Sequence, residues 1–123
     1  MLECQFLPEK NVCIIQVSEN VFKSGDACEK ILDFIAEQNI NEQTKIILFQ
    51  KDIIRFRSRD IQKLHELRNK FPDRFVAVLP ELNAMGRDLV ARVEIKVTET
   101  VRQAFTNFKL LCPEEISKEY KIN

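Results

Sequence analysis

A chain of 123 residues, 45% apolar and 31% charged with a formal charge of zero, has the size and composition of one globular domain. Its two glycines, Gly25 and Gly86, are far apart. A phosphate-binding loop or dinucleotide fingerprint needs several glycines close together, so that backbone N–H groups can reach phosphates, and nucleotide hydrolysis and dehydrogenase chemistry therefore lack their usual signature.

Leu2, Cys4 and Phe6 alternate with polar residues, as in a half-buried strand. Pro8-Glu9-Lys10-Asn11 reads as a turn. Val12–Val17 is a stronger strand, rich in β-branched residues, and completes an antiparallel hairpin. After a loop through Ser18–Lys23, a helix is predicted to start near Ser24 or Asp26, where Asp26 and Glu29 have the spacing of a capping box. Its apolar face is Ala27, Ile31, Phe34 and Ile35, with Glu29, Lys30, Asp33 and Glu37 outside. Thr44–Gln50 is the next strand. A helix from Ser58 to about Lys70 buries Ile61, Leu64, Leu67 and Phe71, and Pro72 ends it because proline has no N–H for the helix ladder. The continuous apolar run Phe75–Leu79 predicts a strand buried on both faces. Pro80 suits the first turn of a third helix with Leu82, Met85 and Leu89 in one stripe. Ile95 and Val97 form a short strand, and Thr98 or Thr100 caps a helix with Val101, Ala104, Phe105 and Phe108 inward.

The order β-β-α-β-α-β-α-β-α predicts a single α/β domain over residues 1–110, with a mixed, mostly parallel sheet of about five strands and about four helices. Residues 111–123 form a charged tail, either flexible or carrying one more short helix. No apolar stretch approaches the ~18 residues that cross a membrane. The segment Met1–Phe6 is acidic and lacks the apolar core of a signal peptide. A cytoplasmic protein without membrane insertion is expected.

Charge is unevenly spread. Residues 1–44 hold 3 Lys/Arg and 8 Asp/Glu, a net of −5; residues 45–70 hold 8 and 3, a net of +5; residues 71–123 hold 8 of each. A basic middle can meet an acidic protein, an anion or nucleic acid, or can be the solvated surface of a helix. Arg55, Arg57 and Arg59 alternate, so an extended chain would point them to one side. Sequence-specific RNA binding adds exposed aromatics for stacking, and Phe56 is the one aromatic interleaved there, so nucleic acid is not the expected partner.

Catalytic and metal chemistry find little to work with. Cys4, Cys13, Cys28 and Cys112 are widely spaced and contain no C-x-x-C pair, which leaves zinc and thioredoxin-like readings without their signature; buried, reduced thiols are expected. His65 has no Ser or Cys at local spacing to activate and reads as a boundary residue. Cys112 lacks the backbone cradle a reactive cysteine needs. Asp52, after a central strand, invites a receiver-like reading, but only Glu19 stands near the end of the first parallel strand to help hold magnesium. No catalytic residue, metal or cofactor is implied.

Three segments carry a resemblance. NVCIIQV followed by a loop and helix, KIILF, and VARVEIKVTETVRQAF together resemble a STAS domain, the fold of bacterial anti-sigma factor antagonists and of the cytoplasmic part of sulfate transporters. The resemblance covers about residues 8–109. The family's signature turn often reads Asp-Ser-Ser-Gly before an apolar residue, whereas this chain has Arg57-Ser58-Arg59-Asp60-Ile61. Ser58 matches the acceptor serine; Arg57, Arg59 and Asp60 replace the acidic residue, second serine and glycine.

The resemblance implies a non-catalytic signalling domain that acts by protein–protein interaction, with Ser58 as the phosphorylation candidate and a regulatory protein such as an anti-sigma-type kinase as partner. A homodimer is compatible with it. A phosphate on Ser58 would gain from the helix dipole and from pairing with Arg57 and Arg59. In the plainer alternative, Ser58 caps the helix through the N–H near Ile61, worth about 1 kcal/mol. The expected contact surface is Arg55, Arg57, Ser58, Arg59, Gln62 and Lys63. Nucleic-acid or anion binding through the basic 51–70 region, and a degenerate receiver-like regulatory domain, are the alternatives.

Overall fold

The hairpin at the start of the chain is built around a four-residue turn. In the computed structural model, which describes residues 2–18, 25–38, 40–51, 58–79 and 84–120, strand β1 (Leu2–Leu7) pairs antiparallel with β2 (Val12–Val17), with Leu7 opposite Val12. Asn11 closes the turn at φ 53°, a left-handed conformation that asparagine tolerates better than most residues. The chain then alternates helix and strand: α1 (Ala27–Glu37), β3 (Lys45–Gln50), α2 (Ser58–Lys70), β4 (Phe75–Val78), α3 (Ala84–Arg92), β5 (Val97–Thr98), α4 (Val101–Asn107) and α5 (Glu114–Glu119). The five strands form one sheet in the order β1-β2-β3-β4-β5, parallel from β2 onward. The α/β class and the mostly parallel sheet agree with the sequence expectation, and the tail adds the fifth helix.

Strand alternation sorts the apolar residues into two cores. On one face Cys13, Ile15, Val17, Ile46, Leu48, Phe75 and Ala77 meet Ala27, Ile31 and Ile35 of α1, Ile61, Leu64 and Leu67 of α2, and Val90 of α3. On the other face Val12, Ile14, Ile47, Phe49, Val76 and Val78 meet Val101, Ala104 and Phe105 of α4 and Ile116 and Tyr120 of the tail. Because both faces are covered, the central strands read as continuous apolar runs. The tail is held at its far end: the Tyr120 hydroxyl donates to Gln5 Oε1 at 2.8 Å, and its ring meets Phe49 edge-on at 5.4 Å.

Several local expectations need correction. Leu2 and Cys4 pack on the first core, but Phe6 is 39% exposed, since β1 is an edge strand with a neighbour on one side only. Asp26 precedes α1 as expected but makes no side-chain cap bond. Its backbone (φ −102°, ψ 21°) is not the extended form that aims a side chain at the first N–H groups, and its carboxylate lies 3.5 Å from Lys30 Nζ instead. The capping box occurs at α4, where the Thr100 hydroxyl accepts from Gln103 N (3.1 Å) and Gln103 Oε1 accepts from Thr100 N (3.2 Å). Ile95 is buried but precedes β5. Pro80, Leu82 and the Met85 side chain lie outside the described residues.

Candidate functional site

In a parallel sheet every crossover leaves from the carboxyl ends of the strands, and ligands and partners gather there because loops and helix starts converge. Here α2 begins at that edge with Ser58, which is exposed. Arg59 and Gln62 are exposed and Lys63 is half-buried. The pairs Ser58/Gln62 and Arg59/Lys63 are spaced i, i+4, so the four share the outward side of the first two turns. The inward side is Asp60, Ile61, Leu64 and Leu67. Asp60, only 3% exposed, sits in the first turn, where the helix dipole favours a carboxylate. Arg55 and Arg57 of the expected surface, with Asp52 and Glu19, lie outside the described residues.

The capping role expected for Ser58 is not realised. Ser58 is itself the first helical residue, and its hydroxyl makes no hydrogen bond among the described residues. A cap must stand one position before the helix to reach the third N–H. The hydroxyl is therefore free to face solvent.

Among the described residues, the basic side chains of the +5 block do not gather in a single patch. Lys45 stands at the start of β3, at the opposite edge from Ser58, and Arg68 and Lys70 occupy the last turn of α2. They are about 15 Å along the axis from Arg59, at 1.5 Å per residue. Exposed Glu66 intervenes, and the neighbouring α1 presents Glu29, Asp33 and Glu37 to solvent. The fold spreads the described members of this charge block over two edges.

The structure adds one residue that sequence reasoning missed. Gln50, the last residue of β3, is 1% exposed, and among the described residues neither its amide nitrogen nor its oxygen has a hydrogen-bond partner. The signal was present in KIILFQ: by strand alternation Gln50 falls in line with Ile46 and Leu48, on the face that carries the first core. A buried unpaired amide costs about 1–3 kcal/mol, so this position is not optimised for stability.

The cysteines and histidine take structural positions. All four thiols are free; Cys13 is buried as expected, whereas Cys4, Cys28 and Cys112 are only half-buried, contrary to the expectation of buried thiols. Cys28 Sγ donates to Lys63 O at 3.1 Å, tying α1 to α2, and burial followed by the Glu66 carboxylate pushes its thiol up to about 12. Cys112 Sγ lies 3.5 Å from Pro113 O, and burial raises its thiol as well. His65 is half-buried with Nε2 3.3 Å from Asn69 Nδ2. Among the described residues no group of three His, Cys, Asp or Glu could hold a metal ion, and no helix is long and apolar enough to cross a membrane. A groove of about 390 Å³ between the hairpin turn and α5, lined by Pro8, Glu9, Pro113 and Glu119 among others, lies away from the start of α2.

Against known proteins, no family model, no curated protein and no solved structure matches this chain.

Proposed function

We propose that this chain is a non-catalytic cytoplasmic signalling domain of STAS-like type that acts by binding a regulatory protein, with Ser58 as its switch. The observation that carries the reading is the placement of Ser58: an exposed hydroxyl that makes no hydrogen bond among the described residues, at the N-terminus of a 13-residue helix, on the carboxyl edge of the sheet. The hairpin followed by alternating helices and sequentially ordered parallel strands supports the same reading.

The physics of the switch is local. A phosphate on Ser58 adds a charge of about −1.5 to −2 next to the positive end of the helix dipole. Arg59 is one residue away and carries a planar fork of donors suited to phosphate oxygens. The modified helix start then presents negative charge where Arg59, Gln62 and Lys63 previously offered positive and neutral groups. A partner with an acidic docking surface, such as an anti-sigma-type kinase, binds the unmodified face and is repelled by the modified one.

The test uses cross-linked capture from source cells with the wild-type chain, Ser58→Ala and Ser58→Glu. The expected result is one partner retained by wild type and Ser58→Ala and lost by Ser58→Glu, together with a phosphate-sized mass increase on the Ser58 peptide of native protein. Equal recovery by all three chains removes the switch.

A further inference from the structure

Cys4 and Cys13 stand on adjacent antiparallel strands with their sulfurs 2.9 Å apart. They are not directly opposite, for Cys4 faces Ile15 and Cys13 faces Phe6. They form a diagonal pair on one side of the hairpin, and both lie against the first core. Diagonal neighbours on a flat ladder stand about 7–8 Å apart at Cα, and strand twist shortens one of the two diagonals. The sulfur contact places this pair on the shortened one. A disulfide has sulfurs about 2.05 Å apart, so closure requires a further approach of about 0.9 Å, which side-chain rotation can share.

The two thiols are chemically unequal. Cys4 is partly exposed on the edge strand, whereas Cys13 is fully buried. Either S–H can donate across this contact; with the more deeply buried Cys13 as donor, the bond stabilises a Cys4 thiolate and lowers its pKa from the ordinary thiol value. The same hydrogen bond, with burial, holds Cys13 protonated. An accessible thiolate beside a sheltered second thiol is the arrangement of an attacking and a resolving cysteine. Cys28 and Cys112, both with raised thiols and bonded to backbone carbonyls, lack it.

We propose that Cys4 and Cys13 form a reversible intrachain disulfide on exposure to a small-molecule disulfide such as oxidised glutathione, stapling the edge strand β1 to β2. In the first step the Cys4 thiolate attacks one sulfur of the oxidant. The Cys4–glutathione bond forms, the oxidant's S–S bond breaks, and one glutathione thiolate leaves. That thiolate, or solvent, takes the Cys13 proton. Cys13 sulfur then attacks Cys4 sulfur, forming the protein disulfide and expelling the second glutathione. The two cysteines lose two electrons, and one oxidised glutathione becomes two reduced ones. The staple closes the turn Pro8–Asn11 into a covalent loop and fixes the strand whose Gln5 accepts the Tyr120 hydroxyl, so it also secures the docking of α5. The inference stands on the hairpin alone and does not depend on Ser58.

The experiment exposes the full chain to oxidised glutathione at mildly alkaline pH, quenches it with acid, alkylates free thiols and maps peptides without reduction. Cleavage after Lys10 places the two cysteines in separate tryptic peptides, 1–10 and 11–23. The expected result is a linked Cys4–Cys13 peptide pair, loss of those two thiols, a monomeric chain, and Cys28 and Cys112 still open to alkylation. Cys13→Ala should stop at a glutathione adduct on Cys4, and Cys4→Ala should leave Cys13 reduced. A wild-type chain that accumulates the Cys4–glutathione adduct, links Cys4 between two chains, or shows no thiol loss overturns the proposal. The wild-type map decides the matter even if a core substitution at Cys13 impairs folding.

Discussion

The described residues at the two edges of the parallel sheet hold their polar side chains differently. At the amino edge three loops are bound together by side chains. Thr44, 0% exposed, donates from Oγ1 to Asn11 Oδ1 at 2.7 Å and accepts from Asn41 N at 3.0 Å. Arg74 donates to the carbonyls of Asn41 (3.1 Å) and Thr44 (2.9 Å), while its guanidinium lies 5.0 Å from the centre of the Phe71 ring. The hairpin turn, the loop before β3 and the loop before β4 thus share one network. At the carboxyl edge, among the described residues, Gln50 is buried with its amide unbonded and the Ser58 hydroxyl makes no hydrogen bond. Among the described residues, the amino edge joins its loops through one polar network, whereas the carboxyl edge combines bonded groups, such as the Thr100–Gln103 box and the Arg87–Glu99 pair at 3.2 Å, with the unbonded side chains of Gln50 and Ser58.

The comparison can be broken first at Thr44. Thr44→Val keeps the shape but removes a hydroxyl shared by Asn11 and Asn41, and should cost about 2–3 kcal/mol in urea unfolding. A loss no greater than that of a carboxyl-edge substitution would remove the contrast. Thr100→Ala is expected to cost about 1 kcal/mol, because it removes the hydroxyl that accepts from Gln103 N in the α4 capping box, and the same unfolding midpoints measure it. Gln50→Leu should go the other way and stabilise by about 1 kcal/mol, since an unpaired buried amide is exchanged for apolar volume. If it destabilises instead, the amide is bonded in solution. Ser58→Ala should fall within about 0.5 kcal/mol of wild type, as befits an exposed side chain without a cap bond. A loss near 1 kcal/mol would restore the capping role and weaken the case for Ser58 as a switch.

What could be read in advance differs between helices and ends. The limits of α2, its inward residues Ile61, Leu64 and Leu67, and its stop before Pro72 were legible because a 3.6-residue apolar repeat and a proline are local signals. The buried strands β2, β3 and β4 were legible for the same reason. Helix starts were less so. Asp26 and Thr100 both have a capping partner three residues on, but only Thr100 has the extended backbone (φ −133°, ψ 157°) that lets the box close. That backbone is set by the chain entering from β5, which no four-residue motif contains. The candidate surface was half legible: Ser58, Arg59, Gln62 and Lys63 share a face because helical spacing requires it, while the spread of the other basic residues depended on where β3 and the end of α2 stand.

By itself, then, the sequence determined an α/β domain, the identity of its elements and the outward side of α2, since these follow from residue periodicity and turn chemistry within a dozen residues. Only the tertiary structure decided which polar groups are satisfied and which are not. Gln50 ends an apolar strand much as any polar residue would, and Thr44 stands just before it. That one is buried without a partner and the other is buried among three residues follows from packing between segments distant in sequence, as does the meeting of Cys4 and Cys13 across the hairpin. Hydrogen bonds act over about 3 Å in space and take no account of distance along the chain.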